Sequence, residues 1–170
     1  FRPYTHTNII PMFYGKLYGI GEGVNIIKNF KEQGDITAFS GSYGEKEIFE
    51  VNMDEGLYNN MDFDSFDHEN IAIYIDINYK YGSRGPNYIL RRCLYQKDVH
   101  EYNFIYGNEF MEKYKDNKKF LRLYFLDAHE SSSQVIKYMD MPLFNFLSNA
   151  YNEQKLKDTA IIILSDHGLH

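Results

Sequence analysis

Residues 159–168 read Thr-Ala-Ile-Ile-Ile-Leu-Ser-Asp-His-Gly. The run Thr159 to Leu164 is short and apolar, the pattern of a strand buried on both faces of a parallel sheet. Just upstream, Met141 to Asn152 has helical spacing, with Asp140 as its N-cap and Pro142 in its first turn. Before that, Phe120 to Leu126 (FLRLYFL) reads as another strand. Strand, helix, strand in this order implies a right-handed crossover between parallel strands. The fold class expected is therefore α/β, a largely parallel sheet with helices on both faces.

In open α/β sheets, ligands bind beyond the carboxyl ends of the strands. Asp127-Ala128-His129-Glu130 follows the first strand of this unit, and Ser165-Asp166-His167-Gly168 follows the second. Parallel strands bring both clusters to one edge. Carboxylate plus imidazole is a common ligand set for zinc or manganese. Gly168 would let the chain turn sharply, so that Asp166 and His167 face one cation. Without a metal, the same residues read as a helix cap at Asp166 and a surface histidine at His167.

Further out, Thr7 to Tyr18 has Ile9, Ile10, Phe13, Tyr14 and Leu17 at helical spacing, with Thr5, Thr7 or Asn8 as cap and Pro11 in the first turn. Val24 to Gln33 reads as a helix with Val24, Ile27 and Phe30 inward, stopped by Gly34, and Asp35 to Ser40 as a short strand. Residues 54–70, including Asp67-His68-Glu69, read as an acidic surface loop. Val99 to Tyr114 reads as a helix with Tyr102, Ile105, Tyr106 and Phe110 on one side. Gly19-x-Gly21-x-Gly23 follows a helix and lacks the Lys-Ser/Thr ending of a phosphate loop. Ser131-Ser132-Ser133 lacks the Gly-x-Ser-x-Gly setting of a hydrolase elbow.

The chain has 170 residues, which suits one domain. A net charge of −6 argues against a nucleic-acid partner, which needs a basic face to displace counterions. The single cysteine, Cys93, excludes a disulfide within this chain and a cysteine-based zinc site. No apolar run reaches the length of a membrane span. Both ends read as cut, so a signal or membrane anchor would lie outside this stretch.

The segment from Cys93 to Gly168 resembles the sulfatase-like branch of the alkaline phosphatase superfamily, in particular a eukaryotic family of unknown substrate. The matching residues are Cys93-Leu94, His100-Glu101-Tyr102, Phe110, Tyr114, His129-Glu130, Asp140, Leu143, Phe146 and Leu147. Leu156-Lys157-Asp158-Thr159 then leads into Ile161 to Gly168, whose Ser-Asp-His-Gly ending is the superfamily's strongest signature. Thr5-His6-Thr7-Asn8, followed by Gly15, resembles the nucleophile turn of nucleotide pyrophosphatases, although His6-Thr7 replaces the usual aromatic-proline pair.

The resemblance implies a three-layer αβα sandwich of alkaline-phosphatase type, here a partial catalytic domain over residues 1–170. It implies a divalent metal, zinc first and manganese or calcium as alternatives, held by Asp166, His167 and Thr5. Thr5 would be the nucleophile, with Thr7 as its rival. His129, Asp127 and Asn8 would bind substrate or a second metal. The upstream acidic ligand and a later histidine would lie outside this chain, as would a disulfide partner for Cys93. The expected substrate is a small-molecule, lipid-headgroup or glycan phosphate ester. Sulfate is disfavoured because no Cys/Ser-x-Pro-x-Arg motif occurs. Transfer of the phosphoryl group to an alcohol instead of water, and a catalytically degenerate binding ectodomain, are the remaining alternatives, and the implied location is extracellular or luminal.

Overall fold

The computed structural model describes residues 5–15, 25–41, 66–71 and 92–168, without the side chains of residues 5–7, 10 and 14. Among them lie helices α1 (Thr5–Tyr14), α2 (Ile26–Glu32), α3 (Glu101–Lys113) and α4 (Asp140–Asn152). The strands are β1 (Ile36–Ser40), β2 (His68–Asn70), β3 (Cys93–Leu94), β4 (Lys97–Asp98) and β5 (Lys119–Leu123). The architecture is mixed α/β. Three parallel strands form a sheet in the order β2-β1-β5, and β3 pairs with β4 in a separate antiparallel hairpin.

β1 is the middle strand, and Thr37 to Ser40 are all buried, as expected where both sheet faces are covered. Its register sets Thr37 beside Phe120 and Phe39 beside Arg122. Alternation puts these four side chains on one face. There Phe39 packs with Ile27 of α2 and with Phe66, while Phe30 of α2 stacks on Phe120 at 4.8 Å. The Arg122 guanidinium lies 4.0 Å from the ring centre of Phe13 in α1, a cation–π contact that ties this helix to β5. On the opposite face, the Ser40 hydroxyl donates to Asn103 Oδ1 of α3 at 2.7 Å. α4 in turn packs on α3 through Phe146 against Phe104.

α1 begins at Thr5, two residues earlier than the sequence suggested, so Pro11 lies beyond its first turn. Gly15 ends it with φ +58° and donates its N–H to Pro11 O at 3.1 Å; that backbone conformation favours glycine. α2 is capped by Asn25, whose side chain accepts from Ile27 N and Lys28 N at 2.9 and 3.3 Å. Val24, Leu17 and most of the 54–70 stretch lie outside the described residues.

Four expectations are corrected. The inward face of α3 carries Asn103, Phe104, Gly107 and Phe110, not Tyr102, Ile105 and Tyr106. Asn103 is drawn in by Ser40 and by Tyr124 O, to which its amide donates at 2.9 Å. Gly107 lets the helices close, since a Cβ there would meet Leu123 Cδ1 at 3.1 Å and Phe146 Cε2 at 3.3 Å. His68 is in strand β2, not a solvated loop, because Asp67 accepts from Thr37 N and Oγ1 and fixes the strand to β1. Its Nε2 pairs with the Tyr114 hydroxyl at 2.6 Å. Asp140 lies inside the first turn of α4, and Met139 is the cap residue.

The fourth concerns Thr159 to Leu164, which is not a strand. Ile161, Ile162, Ile163 and Leu164 are 44%, 76%, 67% and 63% exposed. A strand needs ladder partners. β5 is bonded to β1 along one edge, and among the described residues no strand pairs with its other edge. The apolar run nevertheless stays out of the sheet, leaving that β5 edge unpaired among the described residues.

Candidate functional site

β1 and β5 end together, with Tyr124 N donating to Ser40 O at 2.8 Å. Behind this carboxyl edge, Asn70 donates to Ser40 Oγ at 3.0 Å, and Asn103 bridges Ser40 to Tyr124 O. This buried amide-hydroxyl network fixes the edge from which the next segments leave. A short 3₁₀ turn, Asp127–His129, follows β5.

The two charged ends of that turn are anchored differently. Asp127 is fully buried, and its Oδ1 accepts from Arg92 Nη2 and from His100 Nδ1, the latter at 2.9 Å. Asp98 completes the cluster. It accepts from Arg92 Nε at 2.9 Å and Nη2 at 2.8 Å, and lies 3.0 Å from His100 Nδ1. The β3–β4 hairpin makes this possible by folding Arg92 back onto Asp98. At the far end, the buried Glu130 accepts from Ser132 N at 2.8 Å, Ser132 Oγ at 2.5 Å and Gln134 N at 3.3 Å. Between them, His129 is exposed.

Burial opposes charge on His100, but hydrogen bonds to Asp127 and Asp98, with their negative charges, outweigh it and push the imidazole up to about 9. Burial likewise opposes charge on Asp98, yet His100 and Arg92 bring it down to about 2. Asp98, His100 and Asp127 each offer an atom within 4.8 Å of the others, the spacing of a metal cluster. The donor chemistry does not fit a cation. Arg92 already supplies the positive charge, and His100 Nδ1 donates to the carboxylates instead of presenting a lone pair. Asp127, expected as a substrate or second-metal ligand, is thus engaged in an internal ion pair. Its Oδ2 and His100 Nε2 are buried without a hydrogen-bond partner among the described residues.

Asp166 and His167 face each other, with Asp166 Oδ2 3.4 Å from His167 Nε2. Ser165 Oγ closes the turn by donating to His167 O at 2.6 Å. His167 Nδ1 lies 2.8 Å from Gly168 O. With Nδ1 donating to that carbonyl, Nε2 is the nitrogen turned toward the carboxylate; a protonated ring makes this an ion pair, and a neutral ring leaves an Nε2 lone pair for a cation shared with Asp166. Two tetrahedral zinc ligands at bond lengths of about 2.1 Å stand roughly 3.4 Å apart. The pair therefore fits a shared cation in both donor type and spacing. Gly168 has no left-handed backbone, and a Cβ there would meet nothing within 4 Å, so the turn does not itself demand glycine. Burial first, and then the Asp166 charge, push the Tyr124 phenol up to about 12, which sets Asp166 near the end of β5.

Thr5 and Thr7 lie in the first turn of α1, and their side chains are outside those described. Asn8 is buried in the same helix. A family described as protein of unknown function (DUF229) matches residues 16–170. The chain belongs to DUF229. No curated protein and no solved structure matches it. The DUF229 match spans the Arg92 cluster, His129 and the Asp166–His167 pair, and begins after Thr5 and Asn8. Within this DUF229 chain, Arg92, Asp98 and His100 were not legible as a unit. The hairpin that joins them turns at Tyr95-Gln96, both with positive φ (46° and 68°), where a two-residue turn is usually signalled by Asn or Gly.

Proposed function

We propose that this DUF229 chain is part of a metal-dependent phosphoester hydrolase of the alkaline phosphatase–sulfatase superfamily, with the three-layer fold of that group. One observation carries the reading: Asp166 and His167 present a carboxylate oxygen and an imidazole nitrogen 3.4 Å apart, the separation of two ligands on one zinc ion. Asp166 and His167 would hold the metal, with Thr5 as the third ligand from this chain. The metal, when bound, supplies Lewis acidity and makes the threonine hydroxyl acidic enough to react near neutral pH.

The chain's own residues then have distinct tasks. Thr5 Oγ attacks phosphorus in line as the bond to the leaving alcohol breaks, and the hydroxyl proton ends on that alcohol. Water cleaves the phosphothreonine and returns Thr5 to its starting state. The first-turn N–H groups of α1 offer positive dipole to the ester's anionic oxygens. His129, exposed between two anchored carboxylates, offers them an imidazole N–H. Because Arg92 and His100 hold Asp127, the arrangement with one metal is favoured over two. A phosphate ester is favoured over sulfate because threonine cannot be converted to the formylglycine that sulfate chemistry in this superfamily requires. An extracellular or luminal site of action follows from the same resemblance. No helix among the described residues is long and apolar enough to cross a membrane.

The test is turnover of para-nitrophenyl phosphate, the bis-ester and the sulfate by the full-length protein in the presence of zinc. Phosphate-ester turnover is expected, falling about a thousandfold or more in Thr5→Ala and Asp166→Asn. Undiminished turnover by both variants removes the mechanism, and turnover of the sulfate alone replaces phosphate with sulfate.

A further inference from the structure

We propose that Arg92 is a positioning residue: through Asp127 it locks the 127–129 turn so that His129 is held at the carboxyl end of β5, facing the anionic oxygens of the substrate. The role assigned to His129 rests on the phosphoester reading above; the locking of the turn does not.

Three observations converge on it. The Arg92 and Asp127 side chains are only 3% and 1% exposed, so this pair faces no ligand from solvent. The guanidinium is a fork: Nε and Nη2 engage Asp98 while the same Nη2 reaches Asp127, joining the hairpin to the turn in one geometry. The turn itself is held by few backbone bonds, His129 N to Leu126 O at 2.9 Å and Glu130 N to Asp127 O at 3.4 Å. With Glu130 tied to Ser132 and Gln134, the exposed His129 sits between two fixed points and has little freedom except at its own side chain. A lysine at position 92 would keep the charge and lose the fork. Asp98→Asn would weaken the clamp from its more accessible side while leaving the Arg92–Asp127 pair in place.

The experiment combines amide hydrogen exchange with kinetics on wild type, Arg92→Lys, Asp98→Asn, His129→Ala and the Arg92→Lys/His129→Ala double variant. In Arg92→Lys, and less so in Asp98→Asn, exchange at the His129 amide should accelerate at least tenfold while the α3 and β5 amides keep their protection. KM for para-nitrophenyl phosphate and the inhibition constant of inorganic phosphate should rise about tenfold, as when a partner orienting a binding side chain is lost. kcat should change less, and the double variant should be no worse than His129→Ala alone. Unchanged His129 exchange in both clamp variants, or losses that add in the double variant, would overturn the proposal. Faster His129 exchange in a full-length protein that, with zinc present, neither binds phosphate nor turns over the ester would uphold the lock and sink the phosphoester reading.

Discussion

Raising the pH from 6 to 10 should destabilise this protein through one residue, His100. Its imidazole is 1% exposed and donates to two carboxylates, which hold its pKa at about 9 in the folded chain, against about 6.5 when unfolded. The folded state therefore binds the proton more tightly. The stabilisation is fully present below pH 6.5 and is lost as pH rises through about 9. A shift of this size corresponds to on the order of 3 kcal/mol, a large share of the stability of a domain this size. Urea unfolding at half-unit pH steps measures it directly. The midpoint should hold below pH 6.5, fall across pH 6.5–9 and level off above that, apart from the slower contribution of lysines and tyrosines. His100→Gln should be less stable at pH 6 and lose most of the slope. A wild-type profile flat between pH 6.5 and 9 would refute the reasoning, because it would mean that His100 is neutral beside Asp98 and Asp127.

Further outcomes follow from the same structure. Gln96→Gly should stabilise the protein by about 1 kcal/mol, since a non-glycine residue at φ 68° costs roughly that much; thermal unfolding reads the gain. Gly107→Ala sets about 1 kcal/mol of helix propensity against a Cβ that would press on Leu123 of β5 and Phe146 of α4, and thermal unfolding should show a net loss of about 1 kcal/mol. Ultraviolet titration should show a component near pH 12 that is lost in Tyr124→Phe, and Asp166→Asn should lower that value by removing the nearby negative charge. An unmoved Tyr124 in Asp166→Asn would separate Asp166 from the sheet edge.

Local signals in the sequence were sound where neighbours in the chain decide the structure. Gly34 stops the helix read over Val24 to Gln33, which the structure shows as α2, and the short strand read over Asp35 to Ser40 and the run from Phe120 correspond to β1 and β5, although β5 ends at Leu123 and not at Leu126. They failed where a distant partner decides. The α3 face was misread because polar Asn103 is buried by Ser40, a strand residue 63 positions away. Asp67 and His68 looked like a solvated loop, yet Thr37 and Tyr114 draw them into the sheet. The run Ile161 to Leu164 has every intrinsic feature of a buried strand, yet it does not pair with the open edge of β5 and remains exposed. For the candidate site, Asp166 and His167 could be read as a pair because they are adjacent in sequence, and the structure shows them 3.4 Å apart. Asp127 was legible only as a carboxylate beyond a strand, and its partner Arg92, 35 residues earlier, changes its task from ligand to anchor.

The central claim is that Asp166 and His167 together grip one divalent cation, and zinc titration calorimetry of the metal-stripped full-length protein tests it most directly. One equivalent of zinc should bind to wild type, and affinity should fall about a hundredfold or more in Asp166→Asn and again in His167→Ala, with folding unchanged. Equal zinc affinity in wild type and both variants would contradict the account.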